Sequence, residues 1–283
     1  MTVINTNTGS LYAQQALNTN SRGLSSVMQQ LSTGKRINSA VDDVAGMAIS
    51  TRLTSQIRGL NQAVRNANDG ISLIQTAEGA TDQVTNMLQR MRELAVQASN
   101  DTNNTQDRSY LDLEFQALTS QIDNIANYTQ WNGSNVLNQG NSSVAGRSGV
   151  FTFQVGANSG QTISITLDNM TTQSNKGLLS TLEGKNVTGT ASSGSALSVI
   201  ITALDKISYA RSNMGAVISR LQFAGDNLAN VSAKAQESRS RIEDTDYSQA
   251  TTELAKRNII QQAAQAMLAQ ANQAPQIVLQ LLR

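Results

Sequence analysis

The chain has 283 residues, 39% apolar and only 4% aromatic, with net charge +1 and neither cysteine nor histidine. That removes disulfides, thiolate nucleophiles, imidazole bases and the common zinc sites, leaving catalysis without its usual tools. Near-zero charge offers no footprint for nucleic acid or an anionic membrane. The apolar fraction is below the ~45–50% of globular domains and much of it is alanine, which makes good helix but a thin core. No apolar run reaches the ~18 residues that span a bilayer. MTVINTNTGSLYAQQALNTN lacks the basic and apolar regions of a cleavable signal peptide.

The N-terminal segment steps through Ala13, Leu17, Asn20, Leu24, Val27 and Leu31, a 4-3 alternation with one polar interruption at Asn20. Ser39 and Asp42 read as a capping pair before a long helix over about 44–99. That helix would be ~80 Å long at ~1.5 Å per residue. Its stripe of Leu53, Ile57, Leu60, Val64, Ala67, Ile71 and Ile74 slips near Ala77–Thr81 and resumes at Val84, Leu88, Met91, Ala95 and Ala98. SNDTNNT (99–105) is a turn, and Leu111, Phe115, Leu118, Ile122 and Ile125 mark a second helix.

From Trp131 to about Ser195 the texture turns to Gly, Ser, Asn and Thr. FTFQV (151–155) and TISITL (162–167) alternate as a β-hairpin, and 184–196 reads as a flexible connector. Helix returns with Ile200, Leu204, Ile207, Met214, Ile218, Leu221 and Leu228 and runs to about Arg241. A last helix carries Ile260, Ala264, Met267, Ala271, Ala274, Val278 and Leu281, with the single proline, Pro275, expected to kink it or remove a hydrogen bond. The expected fold is mainly α: a long coiled-coil-like bundle formed by the N- and C-terminal segments, with a small β-hairpin insert. Five segments are expected: 1–43, 44–130, 131–194, 195–241 and 242–283.

Charge is nearly absent from both outer helices. Residues 1–31 hold only Arg22, and 258–282 hold no charged side chain. Lone amphipathic helices normally carry charge opposite the apolar face. Two readings stay open: a two-helix stem within one chain, or helices disordered in solution that order fully only among neighbouring copies. The uncharged faces favour the second. It makes Leu17, Leu24, Val27, Leu31, Ile260, Ala264, Met267, Ala271, Val278 and Leu281 polymerisation residues.

LSTGKRINSAVDDVAGMAISTRLTSQIRGLNQAVRNANDGISLIQTAEGA (31–80) resembles the N-terminal hallmark of bacterial flagellins. SRIEDTDYSQATTELAKRNIIQQAAQAMLAQANQAPQIVLQLLR (240–283) resembles their C-terminal hallmark, and QRMRELAVQASND (89–101) extends the match. The resemblance covers roughly 1–140 and 195–283, and implies a self-polymerising filament subunit for motility. The terminal helices would line the inner tube, and the longer helices and hairpin the outer tube. The subunit would be exported unfolded through the flagellar secretion channel to an extracellular filament. No cofactor is implied. Implied partners are further copies, an export chaperone, the filament cap, hook-associated proteins and a host Toll-like receptor. The middle of the chain departs from larger flagellins by lacking their outer domains.

By the same resemblance the receptor epitope falls on Gln89, Arg90, Glu93, Leu94 and Glu114. From the residues alone, Arg90 and Glu93 are an ordinary solvated i,i+3 pair. Val278, Leu279, Leu281, Leu282 and Arg283 match the motif read by cytosolic sensors. S-x-x-K at Ser32–Lys35 lacks its partner signatures, the P-loop likeness there fails, and Asp42, Asp43, Glu243, Asp244 and Asp246 read as helix-start charge. Rival readings are a hook–filament junction protein and a secreted membrane-active helical protein.

Overall fold

The computed structural model describes residues 6–138, 149–172 and 177–281, with side chains of the last helix described to residue 273. The elements are α1 (Thr8–Thr33), α2 (Val44–Ala98), α3 (Thr105–Tyr128), β1 (Gln130–Trp131), β2 (Ser134–Asn135), β3 (Val150–Gln154), β4 (Thr162–Thr166), α4 (Thr190–Glu243) and α5 (Tyr247–Leu281). The fold is the expected helical bundle with a small β insert. It divides into two compact units, one from Arg58 to Ser232, the other from the residues up to Ile57 and from Ala233 onward. These boundaries fall inside α2 and α4.

In the Arg58–Ser232 unit, α2 buries Ile74, Ala77, Val84, Leu88, Met91, Ala95 and Ala98 against Phe115, Ile122 and Ala126 of α3 and Ile200, Ile207, Met214 and Leu221 of α4. The expected slip at Ala77–Thr81 is absent. Thr81 is fully buried in the same stripe because its hydroxyl donates to the Ala77 carbonyl at 2.7 Å, satisfying the polar group within the helix. α3 starts on a full capping box, Asn104 with Asp107.

The expected β3–β4 hairpin forms, with Phe151 opposite Ile165 and Phe153 opposite Ile163. It lies on α2, where the Asn66 side chain donates to the Gln154 carbonyl at 3.1 Å. A Cβ on Gly70 would stand 3.0 Å from the Phe153 ring, so glycine permits this close approach. A second hairpin, β1–β2, went unread in the sequence. Its Asn132–Gly133 turn has φ of 48° and 76°, the two left-handed positions a type I′ turn requires.

α4 begins at Thr190, inside the stretch expected to be a connector. Ser193 and Ala196 are fully buried there, and the Ser193 hydroxyl donates to the Gly189 carbonyl at 2.8 Å. Small residues chosen for close packing had the composition of a linker. Two α3 carboxylates tie down the chain between hairpin and α4. Asp123 accepts from both the amide and the hydroxyl of Thr172, each at 2.7 Å, and Asp112 accepts from the Val187 amide at 2.8 Å.

Candidate assembly surface

In the other unit α1 and α5 pack together. Asn7 caps α1 by accepting from the Ser10 amide at 3.1 Å, and Gly34, at φ 71°, ends it. Asp246 caps α5 by accepting from the Ser248 amide at 2.9 Å. Asn7 donates to the Ala271 carbonyl at 2.6 Å, Asn20 to the Arg257 carbonyl at 2.9 Å, and the Thr245 amide to the Gly34 carbonyl at 3.0 Å. Numbers on α5 fall as those on α1 rise, so the pair is antiparallel.

The α1 stripe follows the expected 4-3 steps: Val27 is buried and Ala13, Leu17, Leu24 and Leu31 are half-buried. Asn20, expected as an interruption, is buried at 6% exposure and forms a rung of the seam. On α5 the sheltered stripe is Ala250, Leu254, Arg257, Gln261, Ala264, Leu268 and Ala271. Ala264 and Ala271 thus face α1, but Ile260 and Met267 do not; they are 42% and 65% exposed. Apolar residues occupy two faces of α5, and a stripe threaded along the sequence crosses from one to the other. Val278 and Leu281 lie outside the described side chains.

Gly23 makes room for Arg257, whose guanidinium a Cβ there would strike. Arg257 pairs with Glu253 at 3.0 Å. Beyond the seam the pair exposes Leu11, Tyr12, Met28, Ile259, Ile260 and Met267. Nothing charged accompanies them on α1 except Arg22, nor on α5 after Arg257.

The hallmark stretches around 31–50 and 240–250 meet at a joint where α1, α2, α4 and α5 begin or end. The Arg36 amide donates to the Glu243 carbonyl at 2.7 Å, and its guanidinium to the Ile242 carbonyl at 2.6 Å. Lys35 Nζ lies 2.5 Å from Glu243 Oε1, and the Ser50 hydroxyl donates to the same carboxylate. The Lys35 bond, followed by the Ser50 bond, holds the Glu243 carboxyl below the ordinary glutamate range. Lys35 of the S-x-x-K pattern is therefore committed to an ion pair. Asp43, rather than the Ser39–Asp42 pair, caps α2, accepting from the Gly46 amide at 2.8 Å. Asp42 instead closes the preceding turn, and the amides of Ser39 and Asn38 lower its pKa.

On the Arg58–Ser232 unit, Arg90 joins α2 to α3. Its Nε lies 2.8 Å from Glu114 and its Nη1 3.0 Å from Glu93, and these bonds, Glu114 first, raise its pKa. Gln89 and Glu93 line an open groove of about 570 Å³ with Arg92, Val96, Gln97 and Leu204. Leu94 does not join this surface; at 1% exposure it belongs to the core stripe of α2. Val278, Leu279, Leu281, Leu282 and Arg283 fall outside the described side chains. Among the described residues no helix is long and apolar enough to cross a membrane, and no three acidic residues cluster as metal ligands.

Residues 4–142 match the family described as the bacterial flagellin N-terminal helical region, and residues 197–282 its C-terminal helical region. A flagellin of Halalkalibacterium halodurans is 44% identical over 99% of this chain and 100% of its own. A flagellin of Bacillus subtilis is 40% identical over 99% of both. Among solved structures, a protein described as a flagellar hook-associated protein from Vibrio parahaemolyticus has a TM-score of 0.59 at 18% identity, covering 72% of this chain and all of that one. That likeness extends to the fold alone. With both helical regions matched and relatives aligned from end to end, the chain belongs to the bacterial flagellins.

Proposed function

We propose that the chain is the structural subunit of a flagellar filament and polymerises through the α1–α5 unit. The observation that carries this is the exposed apolar set Leu11, Tyr12, Met28, Ile259, Ile260 and Met267 on helices nearly free of charge. Full burial of a large apolar side chain is worth ~1.5–3 kcal/mol, of which the exposed share of each remains to be gained, and faces nearly free of charge approach with little like-charge repulsion. The role is structural rather than catalytic. The subunit leaves the cell unfolded through the flagellum's own channel, with an export chaperone, the filament cap and hook-associated proteins as partners. The α1–α5 pair opens readily in the monomer, so amides over Leu17–Leu31 and Ile260–Leu281 exchange faster there than in the polymer, where neighbouring copies hold the pair closed. On the Arg58–Ser232 unit, Gln89, Arg90, Glu93 and Glu114 form the face offered to a Toll-like receptor, with Leu94 supporting α2 from beneath. The C-terminal residues Val278, Leu279, Leu281, Leu282 and Arg283 are offered to cytosolic sensors.

Seeded assembly tests the reading: refolded protein is mixed with short filament fragments and imaged by electron microscopy, beside a chain lacking residues 258–283. Long filaments from the full chain alone are expected. Growth that stops at rings under every condition would favour a junction protein instead.

A further inference from the structure

Pro275 lies within α5, and proline has no N–H. In a helix the N–H at position 275 would serve the carbonyl of residue 271. That carbonyl is the one to which the Asn7 side chain donates, at 2.6 Å. The other end of the same carboxamide accepts from the Ser10 amide at the start of α1. One side chain thus satisfies an orphan donor at the N-terminus of α1 and the carbonyl left open by the proline in α5.

We infer that Asn7 is a specificity-determining residue for the pairing of α1 with α5: its amide supplies the hydrogen that Pro275 withholds, and so fixes the register of the two helices. Along a helix, most carbonyls already accept from their own chain, so a partner sliding past meets equivalent acceptors turn after turn. Ala271 differs, because the residue four positions on, Pro275, has no N–H to give its carbonyl. Slippage by one turn would leave that carbonyl unmade and move Asn7 onto an acceptor already occupied. An unmade hydrogen bond in a partly sheltered site is costlier than a shared one is favourable. Asn20, bonded to Arg257 midway along the seam, repeats the side chain-to-carbonyl link without a proline, so it steadies the pair but does not choose the register. A seam built largely of alanine and half-buried leucine selects register weakly by shape, which is why a polar pin is needed near its end. Single polar residues in coiled-coil seams act the same way.

The inference rests on the assembly reading only in taking the α1–α5 pair as the polymerising unit, and its test separates the two. The chain has no native cysteine. A Cβ on Gly9 would stand 3.9 Å from that of Ala271, within disulfide reach, and meets nothing closer than an ordinary contact. Full-length G9C/A271C is oxidised under the seeded-assembly conditions and its intramolecular disulfide is scored, whether or not filaments grow. Absence of filaments would count against assembly, whereas the disulfide yield reports on register. Asn7→Ser keeps a capping oxygen on Ser10 but is too short to reach Ala271. In the G9C/A271C background, N7S is expected to lower the yield about threefold to tenfold. With Pro275→Ala added, residue 275 regains its N–H and the same N7S change is expected to alter the yield less than about twofold. An equal loss in both backgrounds, or no loss in either, would overturn the assignment. Circular dichroism on each variant confirms that the helices still form.

Discussion

The Arg58–Ser232 unit and the α1–α5 unit are both built of long helices, but they place their large apolar residues in opposite directions. The first encloses Leu88, Met91, Phe115, Ile122 and Ile200 completely. In the second, α1 buries only Asn20 and Val27, while Met28 and Met267 are more than half exposed. The seam between α1 and α5 is made of alanine, leucine edges, an asparagine and an arginine. A unit that encloses its apolar groups holds its stability within one chain. A unit that turns them outward realises that free energy only when copies meet. The same distinction places the ion pairs: Glu243, 14% exposed, is built into the joint of the second unit, whereas Arg90 sits on the surface of the first.

The contrast can be broken most forcefully in the core. Phe115→Ala is expected to destabilise the Arg58–Ser232 unit by ~3–5 kcal/mol, read as a lower urea midpoint. A small change there would mean that this unit too depends on neighbours. Met267→Glu attacks the opposite side. A charge desolvated between copies should raise the critical concentration for assembly about a hundredfold, while the urea midpoint of the monomer stays unchanged. If monomer unfolding moved as much as assembly, Met267 would be an intrachain residue after all.

Glu243→Gln should cost ~1–2 kcal/mol at neutral pH, by removing the Lys35 ion pair and weakening the Ser50 bond. The folded-state pKa of Glu243 is lowered, so its contribution is complete above the unfolded value near ~4.3. It is lost as pH falls through the lowered value. Melting of the α1–α5 unit followed from pH 7 to pH 3 should show an acid-side slope that the glutamine variant flattens. The smallest effect on folding is expected from Arg90→Ala, whose exposed bonds should leave the melting temperature unchanged. The same change should weaken binding of a Toll-like receptor ectodomain, measured by titration. Unaltered binding would remove the Arg90–Glu114 face from the proposed epitope.

Periodicity made α1, α2 and α3 legible because each has one apolar stripe on an otherwise polar helix. The β3–β4 hairpin was legible from its strict alternation. Other features were hidden for reasons that residues make plain. The Asn132–Gly133 turn carried a short-range signal that went unread amid similar small polar residues. Ser193 and Ala196 looked like linker because close packing and flexibility draw on the same small side chains. Leu94 sits one residue from Ala95, and sequence spacing alone does not say whether such a neighbour is enclosed by α2's partners. At the joint, Lys35, Ser50 and Glu243 are far apart in the chain, so no local pattern could announce their ion pair.

By itself the sequence determined that this protein is a helical, nearly uncharged-ended flagellin with a small β insert, because helix period, composition and family motifs are local properties of the chain. Which face of α5 meets α1, and which is left exposed, only the tertiary structure decided. Alanine, leucine, isoleucine and methionine are all apolar enough for either face, and the choice is made by what stands opposite: Gly23 admitting Arg257, Asn20 reaching one carbonyl, and Asn7 reaching another.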